Sequence, residues 1–161
     1  MDVVRTPEGL VVALTSEEDT LRLGRAIAEV VEPGTVIGLI GPLGAGKTRM
    51  VRAIAEALGV DPSAISSPTF VLIQEYDGRL PIYHFDTYRL PDPEAFQSLG
   101  VDEYWQRGVS LVEWADRVRA LLPEDVWTIT LEPTGPTSRS ARIELPPSGR
   151  DLLERLAALL T

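Results

Sequence analysis

The sequence predicts an α/β domain in which a mainly parallel sheet is flanked by helices and extended by antiparallel hairpins. Three observations carry that prediction. A continuous apolar run, "TVIGLI", reads as a strand buried on both faces, as in a parallel sheet covered by helices, and "VSLVEW" is a second buried-strand candidate. The glycine-rich stretch "GPLGAGKT" separates the first of them from a helical pattern, so strand, loop and helix follow in that order. Asp77-Gly78 lies between two strand-like runs, and two further alternating runs flank "TGPTS" near the C-terminus, as hairpins do.

The elements follow in order. "GLVVALT" is a short strand. "TSEEDTLRLGRAIAEVVEPG" is an amphipathic helix: Thr15 and Glu18 have capping-box spacing, Leu21, Leu23, Ile27, Val30 and Val31 form its apolar face, and Pro33-Gly34 stops it. After the glycine loop, "KTRMVRAIAEALGV" is helical, with Met50, Val51, Ile54, Ala57 and Leu58 on one side. "TFVLIQEY" and "LPIYHFDTYRL" form the first hairpin, and "DPEAFQSLGVDEYWQRG" breaks into short helices. "VSLVEW" is a buried strand with a helix, "ADRVRALLP", after it. "DVWTITLEP" and "SARIELPP" pair, and "SGRDLLERLAALL" closes the chain as a helix. There is no repeat or linker, so residues 1–161 are expected to form a single domain.

Composition narrows the function. The chain has 161 residues, 44% of them hydrophobic and 24% charged, enough to bury a core. It has no cysteine, which removes disulfides and thiolate metal sites. No leader is evident in "MDVVRTPEGL", and no apolar run approaches the ~18 residues that span a bilayer. A cytoplasmic protein without a membrane role is expected. The net charge of −9 argues against direct nucleic-acid binding, because phosphate neutralisation needs a basic surface.

Gly41, Gly46, Lys47 and Thr48 satisfy G-x-x-x-x-G-K-[ST] between a buried strand and a helix, the setting that a phosphate-binding loop requires. A P-loop NTPase-like sheet is therefore expected. Gly41, Gly44, Ala45, Gly46, Lys47 and Thr48 would hold the cofactor, with Gly44 allowing the tight turn. The Lys47 ammonium would meet the β- and γ-phosphates, and the Thr48 hydroxyl would meet Mg²⁺. Lys47 is the only lysine beside fourteen arginines. A compact ammonium fits among several phosphate oxygens where a planar guanidinium prefers a bidentate fork. A second lysine is also needed for the Asn-Lys-x-Asp motif that reads guanine, so ATP is favoured over GTP.

A second carboxylate usually completes such a metal site from the end of a neighbouring strand. Glu113 ends "VSLVE" and Asp86 ends "IYHFD", and either fits. With Asp77-Gly78 as a two-residue turn, Thr69 lies opposite Asp86, near enough to act as a switch-like threonine. His84, the only histidine, shares a strand face with Asp86 and is either structural or functional. Trp114 packs on a base, on a partner or in the core. Arg89 either stabilises charge or forms a surface ion pair.

"GPLGAGKT", "SPTFVLIQEY", "HFDTYRL" and "LVEW" occur in the order and spacing of the bacterial TsaE family, which this chain resembles from about Thr15 to Trp114. The family supplies the ATPase component of tRNA threonylcarbamoyladenosine biosynthesis. The resemblance implies Lys47 and Thr48 as loop lysine and threonine, Thr69 as the switch-like threonine and Asp86 as the catalytic aspartate. It implies Glu113 as the Mg²⁺-associated glutamate, followed by Trp114. It also implies weak ATP hydrolysis alone, and action with a TsaB–TsaD pair that modifies adenosine 37 and itself holds the tRNA. Hydrolysis would then reset that complex between turnovers. Pro42 and Arg49 depart from the residues frequent in the family. The rival readings are a small-molecule kinase, which usually carries an arginine-rich lid that "LPDPEAFQSLGVDEYWQRG" does not supply, and a nucleotide-dependent binding module without turnover.

Overall fold

The computed structural model of the chain describes residues 1–65 and 72–161. Eight strands form one mixed sheet: β1 (Val3–Arg5), β2 (Gly9–Leu14), β3 (Val36–Ile40), β4 (Ile73–Asp77), β5 (Pro81–Asp86), β6 (Val109–Glu113), β7 (Trp127–Pro133) and β8 (Arg139–Glu144). Their order is β1-β2-β8-β7-β3-β6-β5-β4. The central strands β7, β3, β6 and β5 run parallel, and antiparallel strands extend the sheet on both sides. This is the expected architecture. The added edge strand β1, three residues long, carries too short a pattern to read from sequence.

The helices are α1 (Glu17–Val30), α2 (Lys47–Ala57), α3 (Pro93–Gln97) and α4 (Arg150–Leu160). α1, α2 and α4 contribute Leu23, Ile27, Met50, Ile54 and Leu156 to one face of the sheet, against Ile37, Leu39, Leu111 and Ile129. On the opposite face a smaller, aromatic cluster joins Tyr83, Phe85, Phe96 and Trp105. Phe85 meets Phe96, Tyr104 and Trp105 with ring centroids 5.6–5.8 Å apart. Ala57, expected on the buried side of α2, is exposed.

The start of α1 is capped one residue later than the Thr15/Glu18 spacing suggests. Ser16 Oγ accepts from the Asp19 N–H at 3.2 Å, while the Asp19 carboxylate accepts from the Thr15 N–H and hydroxyl at 2.9 and 2.8 Å. The helix expected after β6 is a 3₁₀ helix, Ala115–Leu121, interrupted at Val118.

The first hairpin differs in a way that matters for the site. Asp77 pairs with Pro81, so the turn has three residues, and neither Asp77 nor Gly78 has a positive φ. The register moves by three, and the Asp86 N–H donates to the Leu72 carbonyl at 3.2 Å. Leu72 therefore stands where a two-residue turn would have put Thr69. Thr69 itself lies in 66–71, outside the described residues. No helix among the described residues is long and apolar enough to cross a membrane.

Candidate functional site

At the C-terminal ends of β3, β5 and β6 a cavity of about 820 Å³ opens, where ligands meet open α/β sheets. Its floor is the loop between β3 and α2. Gly44 and Gly46 have φ of 80° and 101°, values that side chains with a Cβ rarely adopt. Gly46 caps α2 without a side-chain acceptor, and no acidic residue occupies the first turn. The free N–H groups and the positive end of the helix dipole therefore remain for an anion. Ala45 braces the loop: its N–H donates to the Pro42 carbonyl at 3.0 Å and its side chain joins the core.

Lys47 is 5% exposed. Its Nζ donates to the carbonyls of Gly41 and Pro42 at 2.6 and 2.9 Å, tying the base of the loop to α2. An ammonium has three hydrogens, so these two bonds leave one. The Trp114 ring lies over the charge, 3.9 Å from Nζ to the ring centroid, and Tyr88 stacks beside Trp114 at 4.8 Å. Burial pushes the Lys47 pKa below its ordinary value, opposed by the nearby carboxylates of Glu113, Asp116 and Asp86.

Parallel pairing sets Asp86 beside Glu113 at the ends of adjacent strands. Glu113 is 4% exposed and held from two sides. The Thr48 hydroxyl lies 2.9 and 3.2 Å from its two oxygens, and His84 Nε2 lies 2.6 Å from Oε2. A carboxylate only accepts, so Nε2 carries the hydrogen, and His84 Nδ1 is left buried without a partner among the described residues. His84 thus belongs to the site through Glu113. Asp86 is half-buried, and its Oδ1 accepts from the Tyr88 N–H at 3.0 Å.

The segment after Asp86 is fixed by Thr87, which lies within "HFDTYRL" but has no role assigned there, and by Arg117, which lies outside every motif. The Thr87 hydroxyl donates to the carbonyls of Glu113 and Trp114 at 3.0 and 2.8 Å, stapling the end of β5 to that of β6. Arg117 donates to the carbonyls of Thr87 and Leu90, both at 2.8 Å, and of Tyr88. Trp114 is the one described non-glycine residue with positive φ, at 59°, and this left-handed kink turns its ring over Lys47. The opposite wall includes Thr137 and Arg139 from the β7–β8 hairpin, which no sequence pattern singles out. Thr48 and Glu113 together offer hard oxygen donors, the kind that Mg²⁺ prefers when a phosphate and waters supply its remaining ligands.

The model of the family "Threonylcarbamoyl adenosine biosynthesis protein TsaE" matches residues 14–141. The chain belongs to the TsaE family. The match runs past Trp114 through β7 into β8, further than the motifs alone reach. The chain is 42% identical over 124 residues to a TsaE protein of Bacillus subtilis, covering 76% of this chain and 77% of that one. It is 44% identical over 117 residues to one of Treponema pallidum, covering 72% and 86%. A crystal structure of Bacillus subtilis YdiB superposes with a TM-score of 0.78 at 34% identity, covering 96% and 98% of the two chains. The sheet is thus that of a P-loop NTPase-like TsaE protein.

Proposed function

We propose that this TsaE-family chain binds ATP with Mg²⁺, hydrolyses it slowly, and thereby serves the threonylcarbamoyladenosine modification of tRNA. The observation that carries the ATPase reading is the Thr48–Glu113 contact at the mouth of the glycine loop. It joins the first residues of α2 to a carboxylate on a neighbouring strand, where a nucleotide-bound cation would need both. The tRNA role is taken from the named relatives and from the family to which the chain belongs.

Each residue then has a task. The loop amides and Lys47 bind the phosphates, with the ammonium already braced by Gly41 and Pro42. Thr48 and Glu113 would hold Mg²⁺, whose charge offsets that developing on the β- and γ-phosphate oxygens. Asp86 has one oxygen engaged by the Tyr88 N–H and the other available to accept from the attacking water. Water adds to the γ-phosphorus, the bond to the β-phosphate bridging oxygen breaks, and ADP and phosphate leave. Thr69 is assigned a switch-like role on the family resemblance alone.

The partner in this reading is a TsaB–TsaD-type pair, which holds the tRNA that a chain of net charge −9 is ill suited to hold. Hydrolysis resets that complex between modification rounds. Phosphate release measured with and without the TsaB–TsaD pair tests the proposal. Slow release alone and faster release with the pair are expected. A phosphorylated metabolite in place of free phosphate would replace the reading with a kinase, and nucleotide binding without any release would leave a binding module.

A further inference from the structure

The nucleotide reading leaves one half-buried cation at the cavity without a task; Arg49 and Arg89, which also line it, are exposed. Arg139 opens β8, and its side chain makes no hydrogen bond or ion pair with any described residue. Arg117, by contrast, is engaged with three carbonyls and Arg5 with Glu154. Arg139 is also partly withdrawn from solvent, and it lines the cavity that contains Lys47, Thr48 and Glu113. Arg139 shares the cavity lining with Glu17, Asp86 and Glu113 yet pairs with none of them, so a half-buried guanidinium is left without the bonded counter-charge it would ordinarily find.

Its position is specific. A methyl group added at Gly46 would meet the Arg139 guanidinium, with Nη1 at 2.5 Å and Cζ at 3.1 Å. Arg139 thus packs on the glycine that caps α2, where the anion-binding end of the helix begins. The sheet order places it on a definite side. Glu113 and Asp86 end β6 and β5 on one side of β3, whereas Arg139 comes from β8, beyond β7, on the other. The two groups of side chains flank the loop from opposite directions.

We infer that Arg139 is a second phosphate-binding cation, one that grips the part of the nucleotide remaining after hydrolysis. This inference rests on the reading of the cavity as a nucleotide site. If the bond to be broken lies toward Glu113 and Asp86, the phosphates nearer the ribose lie toward Gly46 and β8. A guanidinium there offers a planar donor fork to a phosphate oxygen pair, a geometry distinct from the point charge of Lys47. Arg139 accordingly sets affinity for ATP and ADP alike and takes no part in the chemical step. It also gives the β7–β8 hairpin a role in the site.

The test is titration of the whole chain with ADP and with a non-hydrolysable ATP analogue, for wild type, Arg139→Ala and Arg139→Lys. Loss of a charge-assisted bond should raise both dissociation constants by about tenfold in Arg139→Ala. Arg139→Lys should recover part of that loss. Unchanged affinities in Arg139→Ala, or a loss confined to the ATP analogue, would each overturn the inference. If Arg139→Ala does not fold, Arg139→Gln keeps the length of the side chain while removing the charge, and the same outcomes apply. Wild-type chain that binds neither nucleotide would instead overturn the nucleotide reading itself.

Discussion

The Thr48 hydroxyl and the Glu113 carboxylate, 65 residues apart in sequence, lie 2.9 Å from each other at the mouth of the glycine loop. The expected consequence of Glu113→Gln is loss of the Mg²⁺ requirement together with most of the hydrolysis, roughly 100-fold or more. Nucleotide affinity measured in EDTA should be nearly unchanged, because the loop amides and Lys47 are untouched. An equal loss of metal-free affinity would show that Glu113 supports the loop and not the metal.

Lys47→Arg probes the shape of the cationic site. The ammonium fits between two carbonyls and the Trp114 ring, with 5% of the residue exposed. A guanidinium is wider, and overpacking a filled site costs about 1–3 kcal/mol. ATP affinity should therefore drop by about tenfold or more in an equilibrium titration, although the charge is conserved. Near-normal affinity and turnover would remove the geometric argument for lysine.

The lowered pKa of Lys47 has two consequences of opposite sign. Folding makes the protonated form harder to keep, so between the lowered pKa and the ordinary value near 10.5 the unfolded chain binds more protons. In that window the contribution of Lys47 to stability rises with pH. Nucleotide affinity, which needs the ammonium, falls over the same window. Titrations and melting curves across the alkaline range should diverge in this way, and parallel trends would assign the pH dependence to other groups.

Arg117 is expected to act through the segment it holds. Its bonds to the carbonyls of Thr87, Tyr88 and Leu90 fix the backbone directly after Asp86. Arg117→Ala should slow hydrolysis at saturating ATP by roughly tenfold to a hundredfold while leaving ADP affinity within about twofold, since small displacements of a reacting group are costly. Arg117→Lys, unable to span three carbonyls, should recover little. Loss of ADP affinity in step with the rate would show a general collapse of the cavity.

Ser16→Ala removes the acceptor for the Asp19 N–H at the start of α1. The loss expected in chemical denaturation is about 1 kcal/mol. Thr15→Ala removes only the hydroxyl contact to Asp19 and should cost less, which would locate the cap at Ser16. The reverse ranking would move it back to Thr15.

What could be read in advance was whatever chemistry is contiguous. The glycine loop, Lys47, Thr48 and the strand-terminal positions of Asp86 and Glu113 all follow from short windows with a clear pattern. The hairpin register did not follow, because a tertiary contact sets it. Gly78 packs on the end of α2, where an added methyl group would meet the Leu58 carbonyl at 2.6 Å, and Arg79 donates to that carbonyl and to Ala28. Docking on two helices overrode the local preference of Asp-Gly for a two-residue turn. The roles of Arg117, Thr87 and Arg139 were invisible for a related reason. Each acts on residues 26–93 positions away, and an arginine bonded to backbone carbonyls or packed on a glycine leaves no partner residue type to recognise.

The solitary lysine has a practical corollary. Acylating reagents, amine-directed cross-linkers and biotin esters find one side-chain amine in this chain, and it sits within the cavity. Its lowered pKa raises the share of the nucleophilic neutral form, while Trp114 restricts approach. Modification at that amine would therefore report on the occupancy of the cavity, with nucleotide slowing the reaction and peptide-level mass spectrometry separating Lys47 from the α-amine of Met1. The same arithmetic warns against amine coupling for immobilisation, since the side-chain handle it would use is Lys47 itself.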